Sequence, residues 1–281
     1  MKSRSSKSDS SLAPPPAKGV IPWKKLSPLV RKRLRENPRL WGNPEFEAVE
    51  AARGNQTPAE AALECTLLSQ SYRRMIHGGT HMLDHRPIIR HLTDKKIPFV
   101  LTGMHGISSW IGRPRATKDV GILVKGGRNF GRAVKALREL LPDLEYREFA
   151  GVAGFFPPGE KQSVLDVSYP HRFDLQETLA TAIWVEDEGL RFRIPTLEAA
   201  LANKYGAMLC LTRDAAKRLV DMSDFINMVN HSTDYARGPI DLDKLGDLAE
   251  TIWKSGGRAE ILRMVKEAKA GRIPLMPLAT A

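Results

Sequence analysis

The sequence predicts an α+β fold followed by a helical C-terminal subdomain. Between residues 96 and 195, short apolar segments typical of buried strands are interspersed with amphipathic helical segments. From Thr196 onward, apolar residues recur at helical spacing throughout. Strands early in the chain and helices late in it favour an α+β arrangement.

Start and stop signals place the individual elements. Thr57 and Pro58 begin a helix, because Thr is a good N-cap and Pro is preorganised for the first turn. Gly103 ends the first strand, and Gly126 and Gly127 end the second. The predicted helices cover residues 57–77, 81–94, 129–141, 174–183, 196–211, 213–230, 241–254 and 257–270. The predicted strands cover residues 97–103, 116–125, 144–149, 151–156, 163–168 and 190–195.

Four segments follow from this pattern. Residues 1–45 are rich in Ser, Pro, Lys and Arg, which predicts a basic disordered N-terminal extension. Residues 46–95 form a helical arm and residues 96–195 a core that contains the sheet. Residues 196–273 form the helical C-terminal subdomain.

Most of the net charge of +11 belongs to the N-terminal extension. Residues 1–44 hold 11 Lys and Arg against two acidic residues, so the rest of the chain is nearly neutral. A basic tail of this kind either stays solvated or makes salt-dependent contacts with nucleic-acid phosphates. Both interpretations remain open at this point.

The sequence predicts a cytoplasmic protein that does not insert into a membrane. No apolar run approaches the roughly 20 residues that span a bilayer. The N-terminal stretch MKSRSSKSDSSLAPPPAKG has a basic start without a following apolar segment, so it does not match a secretory signal. Cys65 and Cys210 are far apart and lack metal-ligand spacing, which predicts buried free thiols in a reducing compartment.

Asp119 lies near the start of a predicted strand, in the stretch RPRATKDVGILV, residues 113 to 124. Because side chains alternate along a strand, residues 119 and 121 face the same way. Two carboxylates in a D-x-D pattern would meet at one point, as they do where a divalent cation is held with a triphosphate. Residue 121 is Gly, so the second carboxylate is missing.

Asp166 in VLDVSY is a further acidic candidate. It lies between Leu165 and Val167, and burying an unpaired carboxylate there would cost several kcal/mol. It is therefore either part of a site, if its strand lies beside that of Asp119, or the partner of a nearby Arg.

Three stretches together resemble a known family: FVLTGMHGISSWIGRPRATKDVGILV, VLDVSY and TLEAALANKYGAMLCLTRDAAKRLVDMSDF. They are similar to the nucleotidyltransferase superfamily that includes DNA polymerase beta. The nearest branch is the bacterial one that contains the nucleotidyltransferase-like toxins of abortive-infection toxin–antitoxin systems. The resemblance covers about residues 95 to 230 and implies a nucleotidyltransferase-type mixed sheet flanked by helices.

The resemblance also implies a chemistry. An NTP would be the substrate, Mg²⁺ the cofactor, a protein, RNA or small molecule the acceptor, and an antitoxin-like protein a partner. Asp119 and Asp166 would be the catalytic and metal-binding residues. The implied nucleotide-binding residues are Gly103, His105, Arg113, Arg115 and Lys204.

These implied roles have simpler alternatives. The two arginines suit bidentate phosphate contacts, but arginines in a solvated loop also cap nearby carbonyls. His105 could contact a phosphate or base, or be a loop histidine with its hydrogen bonds satisfied. Asp221 and Asp224 are interpreted as an exposed acidic face, or as partners of Lys217 and Arg218.

Gly121 departs from the family pattern and leaves two functions open. Transfer of a nucleoside monophosphate relies on metal ions bridged by carboxylates, so the loss of one carboxylate weakens metal binding and catalysis. The first function is an active nucleotidyltransferase. The second is a catalytically impaired binding or regulatory module with the same fold, that is, a pseudoenzyme.

Overall fold

The computed structural model describes residues 57–77, 83–112, 114–149, 151–187, 189–231 and 239–276. The predicted N-terminal extension, residues 1–45, and the first part of the helical arm lie outside these residues. The described residues belong to one compact unit.

The helices and strands follow the predicted order, with an additional short helix at Gly103–Ile107 and an additional strand at Ile183–Asp187. The helices are α1 (Pro58–His77), α2 (His85–Asp94), α3 (Gly103–Ile107), α4 (Arg128–Leu140), α5 (Phe173–Thr181), α6 (Leu197–Leu209), α7 (Ala215–His231), α8 (Leu242–Ile252) and α9 (Gly257–Lys269), with a 3₁₀ turn at Ser108–Trp110 after α3. The strands are β1 (Phe99–Thr102), β2 (Val120–Val124), β3 (Glu145–Phe149), β4 (Val152–Phe156), β5 (Leu165–Ser168), β6 (Ile183–Asp187) and β7 (Leu190–Ile194).

A five-stranded mixed sheet forms the centre of the core segment. Its strand order is β1-β2-β5-β4-β3, with β2 and β5 parallel and the other neighbours antiparallel. β6 and β7 form a separate antiparallel ribbon. Helices flank the sheet and the later helices follow it, so the predicted α+β fold class is confirmed.

The register of the sheet aligns four residues across four strands. Thr102 on β1 lies opposite Gly121 on β2, and Gly121 lies opposite Asp166 on β5. Asp166 in turn lies opposite Gly154 on β4. Because side chains of directly opposite residues project from the same face of a sheet, Asp166 stands between two glycines on that face.

Two hydrophobic cores hold these layers together. The first joins α2 and α4 to the sheet through residues such as Leu92, Ile122 and Leu137. The second lies among α6, α7, α8 and α9, and includes Tyr205 and Phe225. The second core also takes in residues of α3 and the 3₁₀ turn, so the helices after residue 196 pack directly against the segment that follows β1.

The start of α1 shows why Thr57 and Pro58 predict a helix. The Thr57 hydroxyl accepts a hydrogen bond from the Glu60 backbone N–H at 3.2 Å. The Glu60 carboxylate accepts one from the Thr57 backbone N–H at 2.6 Å. This reciprocal capping box satisfies two backbone donors that a helix start leaves without partners.

The two cysteines differ in burial. Cys65 is buried, but Cys210 is only partly buried, because it lies at the C-terminal end of α6 beside an exposed loop. The expectation of two buried thiols is therefore wrong for Cys210. Among the described residues, no helix has the length and apolar character required to cross a bilayer.

Candidate active site

A cleft of about 800 Å³ lies where the sheet meets α6 and α7. Its lining includes the turn after β1, the segment before β2, the loop before β5 and one side of each of the two helices. Its basic lining residues are Arg115, Lys118, Lys161, Lys204, Arg213 and Lys217. Its acidic lining residues are Asp119, Asp166 and Asp221. The excess of cations makes the cleft suited to an anionic ligand.

Asp119 and Asp166 both line this cleft, on the parallel neighbours β2 and β5. Asp119 immediately precedes β2, and its Oδ1 accepts a hydrogen bond from the Thr117 hydroxyl at 3.3 Å. Burial and the neighbouring Asp119 carboxylate raise the pKa of Asp166 to about 6, against the opposing effects of Ser163 and Lys217. The two acids predicted from separate segments therefore come close enough for their charges to interact.

The donor set suits one Mg²⁺ ion better than two. Mg²⁺ keeps several waters and commonly takes only one or two protein carboxylates together with substrate phosphates. Asp119 and Asp166 meet that requirement. Within the part of the chain that the structure describes, no three His, Cys, Asp or Glu side chains form a metal-binding group.

Gly103 lines the cleft at the turn between β1 and α3. Its φ of +60° lies in the left-handed region that glycine adopts without strain. The residue is exposed, so a ligand can approach its backbone closely. The sequence prediction of a glycine turn at this position agrees with this geometry.

Gly121 is enclosed by the end of β1. An ideal Cβ on Gly121 would lie 2.8 Å from Thr102 Oγ1, 3.2 Å from the Thr102 carbonyl carbon and 3.3 Å from the Gly103 backbone nitrogen. Two of these atoms belong to the backbone and cannot rotate away. A side chain at residue 121 would therefore require the Thr102 hydroxyl to rotate away and the end of β1 to give by a few tenths of an ångström. The sequence pattern alone does not reveal this close packing.

Arg115 and Lys204 are part of an ion-pair network beside the cleft. Arg115 donates to both carboxylate oxygens of Asp224, at 2.9 and 2.8 Å. Lys204 Nζ donates to Asp221 at 2.8 Å and to Asp224 at 2.6 Å, and Arg213 Nε donates to Asp221 at 2.7 Å. The predicted nucleotide-binding cations Arg115 and Lys204 thus lie at the cleft wall, with carboxylate partners of their own.

The ion-pair network buries Asp221 and Asp224 and lowers the pKa of Asp224. Asp221 and Asp224 are 2% and 1% exposed, so the interpretation as an exposed acidic face is wrong. Their ion-pair partners are Arg115, Lys204 and Arg213, in place of the alternative partners Lys217 and Arg218. Burial alone would raise the pKa of Asp224, but the charges and hydrogen bonds of Arg115 and Lys204 outweigh it and hold the pKa below its ordinary value.

His105 lies in the interior. It is 2% exposed, and its Nε2 is 3.1 Å from the Thr66 hydroxyl, which is 2.7 Å from Nδ1 of His85. The two imidazole ring centroids are 5.3 Å apart. Burial lowers the pKa of His85 to about 4 and that of His105 to about 3, so both rings are neutral at physiological pH. The His105 side chain contacts this buried group and does not line the cleft.

One predicted site residue cannot be placed, and one basic residue of the cleft was not predicted. Arg113 lies outside the described residues. Lys161 and Lys217 line the cleft and are exposed, but the sequence pattern did not single out Lys161. Its one signal is its position in the polar loop KQS that leads directly into the strand of Asp166.

Comparisons with known proteins give structural matches alone. No protein-family model and no curated protein matches the chain. An antigenic nucleotidyltransferase-like protein from Paracoccidioides brasiliensis matches with 18% identity and a TM-score of 0.40, over 68% of this chain and 92% of that chain. The antibiotic-resistance factor ANT(2'')-Ia matches with 16% identity and a TM-score of 0.37, over 57% and 84% respectively. JHP933 from Helicobacter pylori matches with 19% identity and a TM-score of 0.32, over 75% and 93%. At such identities and TM-scores, these matches do not assign a family or an activity to the chain.

Proposed function

We propose that the protein is a nucleotidyltransferase that binds an NTP with one Mg²⁺ ion in the cleft and transfers a nucleoside monophosphate to an acceptor. The observation that supports this most directly is the convergence of Asp119 and Asp166 in a cleft with six basic lining residues. Two carboxylates among an excess of cations suit a ligand that brings both a divalent cation and several phosphates.

The proposed reaction joins an acceptor hydroxyl to the α-phosphorus. The hydroxyl oxygen forms the new P–O bond, the bond from the α-phosphorus to the bridging oxygen breaks, and pyrophosphate leaves. The hydroxyl proton passes to solvent. Mg²⁺, held by Asp119 and Asp166 when bound, supplies positive charge that offsets the charge of the triphosphate. Lys161, Arg213 and Lys217 orient the phosphates from the rim of the cleft.

A second function is favoured by the enclosure of Gly121. Metal bridging by a carboxylate at this position is sterically obstructed by Thr102 and Gly103. A protein that keeps the cleft without a second bridging carboxylate would bind a nucleotide and turn it over slowly or not at all. In this alternative the chain is a nucleotide-binding or regulatory module.

Binding is tested first, by isothermal titration of ATP in the presence of Mg²⁺. Asp119→Ala removes one of the two carboxylates, and its affinity should fall at least about tenfold, since this is a typical effect of losing a metal-site group. Asp143→Ala is the matched control, because Asp143 is an exposed acid in the loop before β3. Equal affinity of native protein and Asp119→Ala would exclude this site.

Transfer is tested separately with α-³²P-labelled NTPs and a mixture of cellular RNA and protein. Label incorporated by the native chain and lost in Asp119→Ala supports the enzyme. Binding that depends on Asp119 without any incorporation supports the binding module. The two functions thus share one site and differ in one measurement.

A further inference from the structure

The aromatic ring of Phe156 forms part of the cleft wall near Asp166. Phe156 is the last residue of β4, lines the cleft and is half-buried. Gly154, two residues earlier on β4, lies directly opposite Asp166 on β5. Residues two apart on a strand share a face, and so do directly opposite residues of neighbouring strands. Phe156 and Asp166 therefore project from the same face of the sheet.

Gly154 allows the ring of Phe156 to lie back over β4 towards Asp166. An ideal Cβ on Gly154 would lie 2.7 Å from Cε2 and 2.9 Å from Cζ of Phe156. The same Cβ would lie 3.5 Å from Oδ1 of Asp166. The ring edge and the carboxylate thus approach one point above Gly154. A flat group stacked on this ring would lie next to Asp166.

Arg147 supports the ring from the side of β3. It lies directly opposite Gly154, and its Cζ is 4.5 Å from the centroid of the Phe156 ring. Phe156 lines the cleft and Arg147 does not, so the ring separates this guanidinium from the cleft. A cation–π contact of this kind favours one orientation of the ring. The ring is therefore already oriented for stacking before a ligand binds.

The charges of the cleft indicate which reactant meets this ring. Lys161, in the loop between β4 and β5, is the one basic lining residue from the elements next to Phe156. The other basic lining residues come from the segment before β2 and from the helical subdomain, namely Arg115, Lys118, Lys204, Arg213 and Lys217. A triphosphate is favoured near that larger group of cations. The ring of Phe156 is then left for the acceptor.

We propose that Phe156 is a stacking platform for the acceptor, and that the acceptor is a nucleoside unit whose base stacks on the ring. The proposal rests on the proposed function of the cleft. Bases stack on aromatic side chains regardless of sequence, because every base has a π face. Stacking on Phe156 places the ribose of that unit beside Asp166. A ribose hydroxyl oxygen then forms the bond to the α-phosphorus, pyrophosphate leaves, and the hydroxyl proton passes to solvent.

The probe is a hexaribonucleotide of five uridines that ends in 2-aminopurine, whose fluorescence is quenched when the base stacks. We expect the full native chain to quench this probe. Phe156→Leu, which removes the ring, should need at least about fivefold more protein for the same quenching, since stacking of one base contributes this much or more. Phe156→Tyr keeps the ring and should stay within about twofold of the native chain. Thermal melting shows whether each variant is folded, and Phe156→Ile replaces the Leu variant if that variant is unfolded.

Phe149→Leu is the matched control, because Phe149 is an 85% exposed aromatic on the neighbouring strand β3 that does not line the cleft. It should quench the probe as the native chain does. The 5′-monophosphate of 2-aminopurine riboside distinguishes two sources of the base. Equal quenching of this mononucleotide identifies a small nucleotide acceptor, and quenching of the hexamer alone identifies an RNA end. Both results support the proposal.

Titration of ATP with Mg²⁺ separates the acceptor from the NTP. Native ATP affinity in Phe156→Leu, together with weaker quenching, supports an acceptor platform. A fall in ATP affinity as large as the fall in quenching overturns it, because the ring would then hold the base of the NTP. Equal quenching by the native chain and Phe156→Leu, or no quenching by either, also overturns it and leaves the nucleotide site in place. Native ATP affinity in Asp119→Ala instead removes the proposed function itself.

Discussion

Replacement of Gly121 by Ala gives a direct test of how closely the end of β1 packs on β2. In an ordinary strand, Ala in place of Gly gains about 0.5–1 kcal/mol, because it lowers the conformational entropy of the unfolded chain. Here the added methyl group would lie 2.8 Å from Thr102 Oγ1 and within 3.3 Å of two backbone atoms. Overpacking of this kind costs about 1–3 kcal/mol. We therefore expect a net loss of about 1–2 kcal/mol.

Urea unfolding followed by far-UV circular dichroism measures this loss, provided that the m-value is unchanged. Gly131→Ala is the matched control, because Gly131 lies within α4 and its ideal Cβ has no neighbour within 4 Å. That control should gain up to about 1 kcal/mol. In the double variant with Thr102→Ala, part of the loss at Gly121 should be recovered, since the contact with Oγ1 is gone and the backbone contacts remain. A Gly121→Ala protein as stable as the Gly131→Ala protein would refute the packing argument.

Two further predictions concern buried polar groups. His85 and His105 stay neutral in the folded protein down to about pH 4, whereas unfolded histidines protonate near pH 6.5, so acid binds preferentially to the unfolded state. The two histidines should each lower stability by about 1 kcal/mol on going from pH 7 to pH 5.5. The raised pKa of Asp166 acts in the opposite direction over this range and offsets part of the fall. A His105→Gln variant should lose about half of the histidine contribution in pH-dependent urea unfolding. Asp224→Ala leaves Arg115 without its buried partner and Lys204 with Asp221 alone, and should cost about 3–5 kcal/mol in the same assay. Asp243→Ala, whose side chain is 92% exposed, should change stability by less than about 1 kcal/mol. A flat pH profile, or equal effects of the two Asp variants, would contradict these estimates.

Local patterns in the sequence predict most of the fold. The five strands of the sheet and the later helices each have apolar periodicity and a Gly, Thr or Pro at a boundary, and both signals are local. Strand β6 (Ile183–Asp187) was not predicted, because its sequence IWVED carries two acids and follows directly on α5. Its strand conformation depends on pairing with β7, which is a tertiary contact.

Only part of the candidate site could be predicted from local sequence patterns, and the rest depends on tertiary contacts. Asp119 and Asp166 could be selected because each is an acid at or within an apolar strand segment. The ion pairs of Arg115 and Lys204 could not be predicted from the sequence, because their partners lie on α7. Helix spacing alone does not show which side of α7 faces the interior. The enclosure of Gly121 depends on a neighbouring strand in the same way.

The ion-pair network around Asp221 and Asp224 also sets the electrostatic strength of the cleft. Half of its basic lining residues, namely Arg115, Lys204 and Arg213, already share their charge with these two carboxylates. A phosphate that binds in the cleft must therefore compete with the carboxylates of Asp221 and Asp224 for ion pairs with those three cations. Attraction of ligands from solution then depends more on the other basic side chains of the cleft, of which Lys161 and Lys217 are exposed.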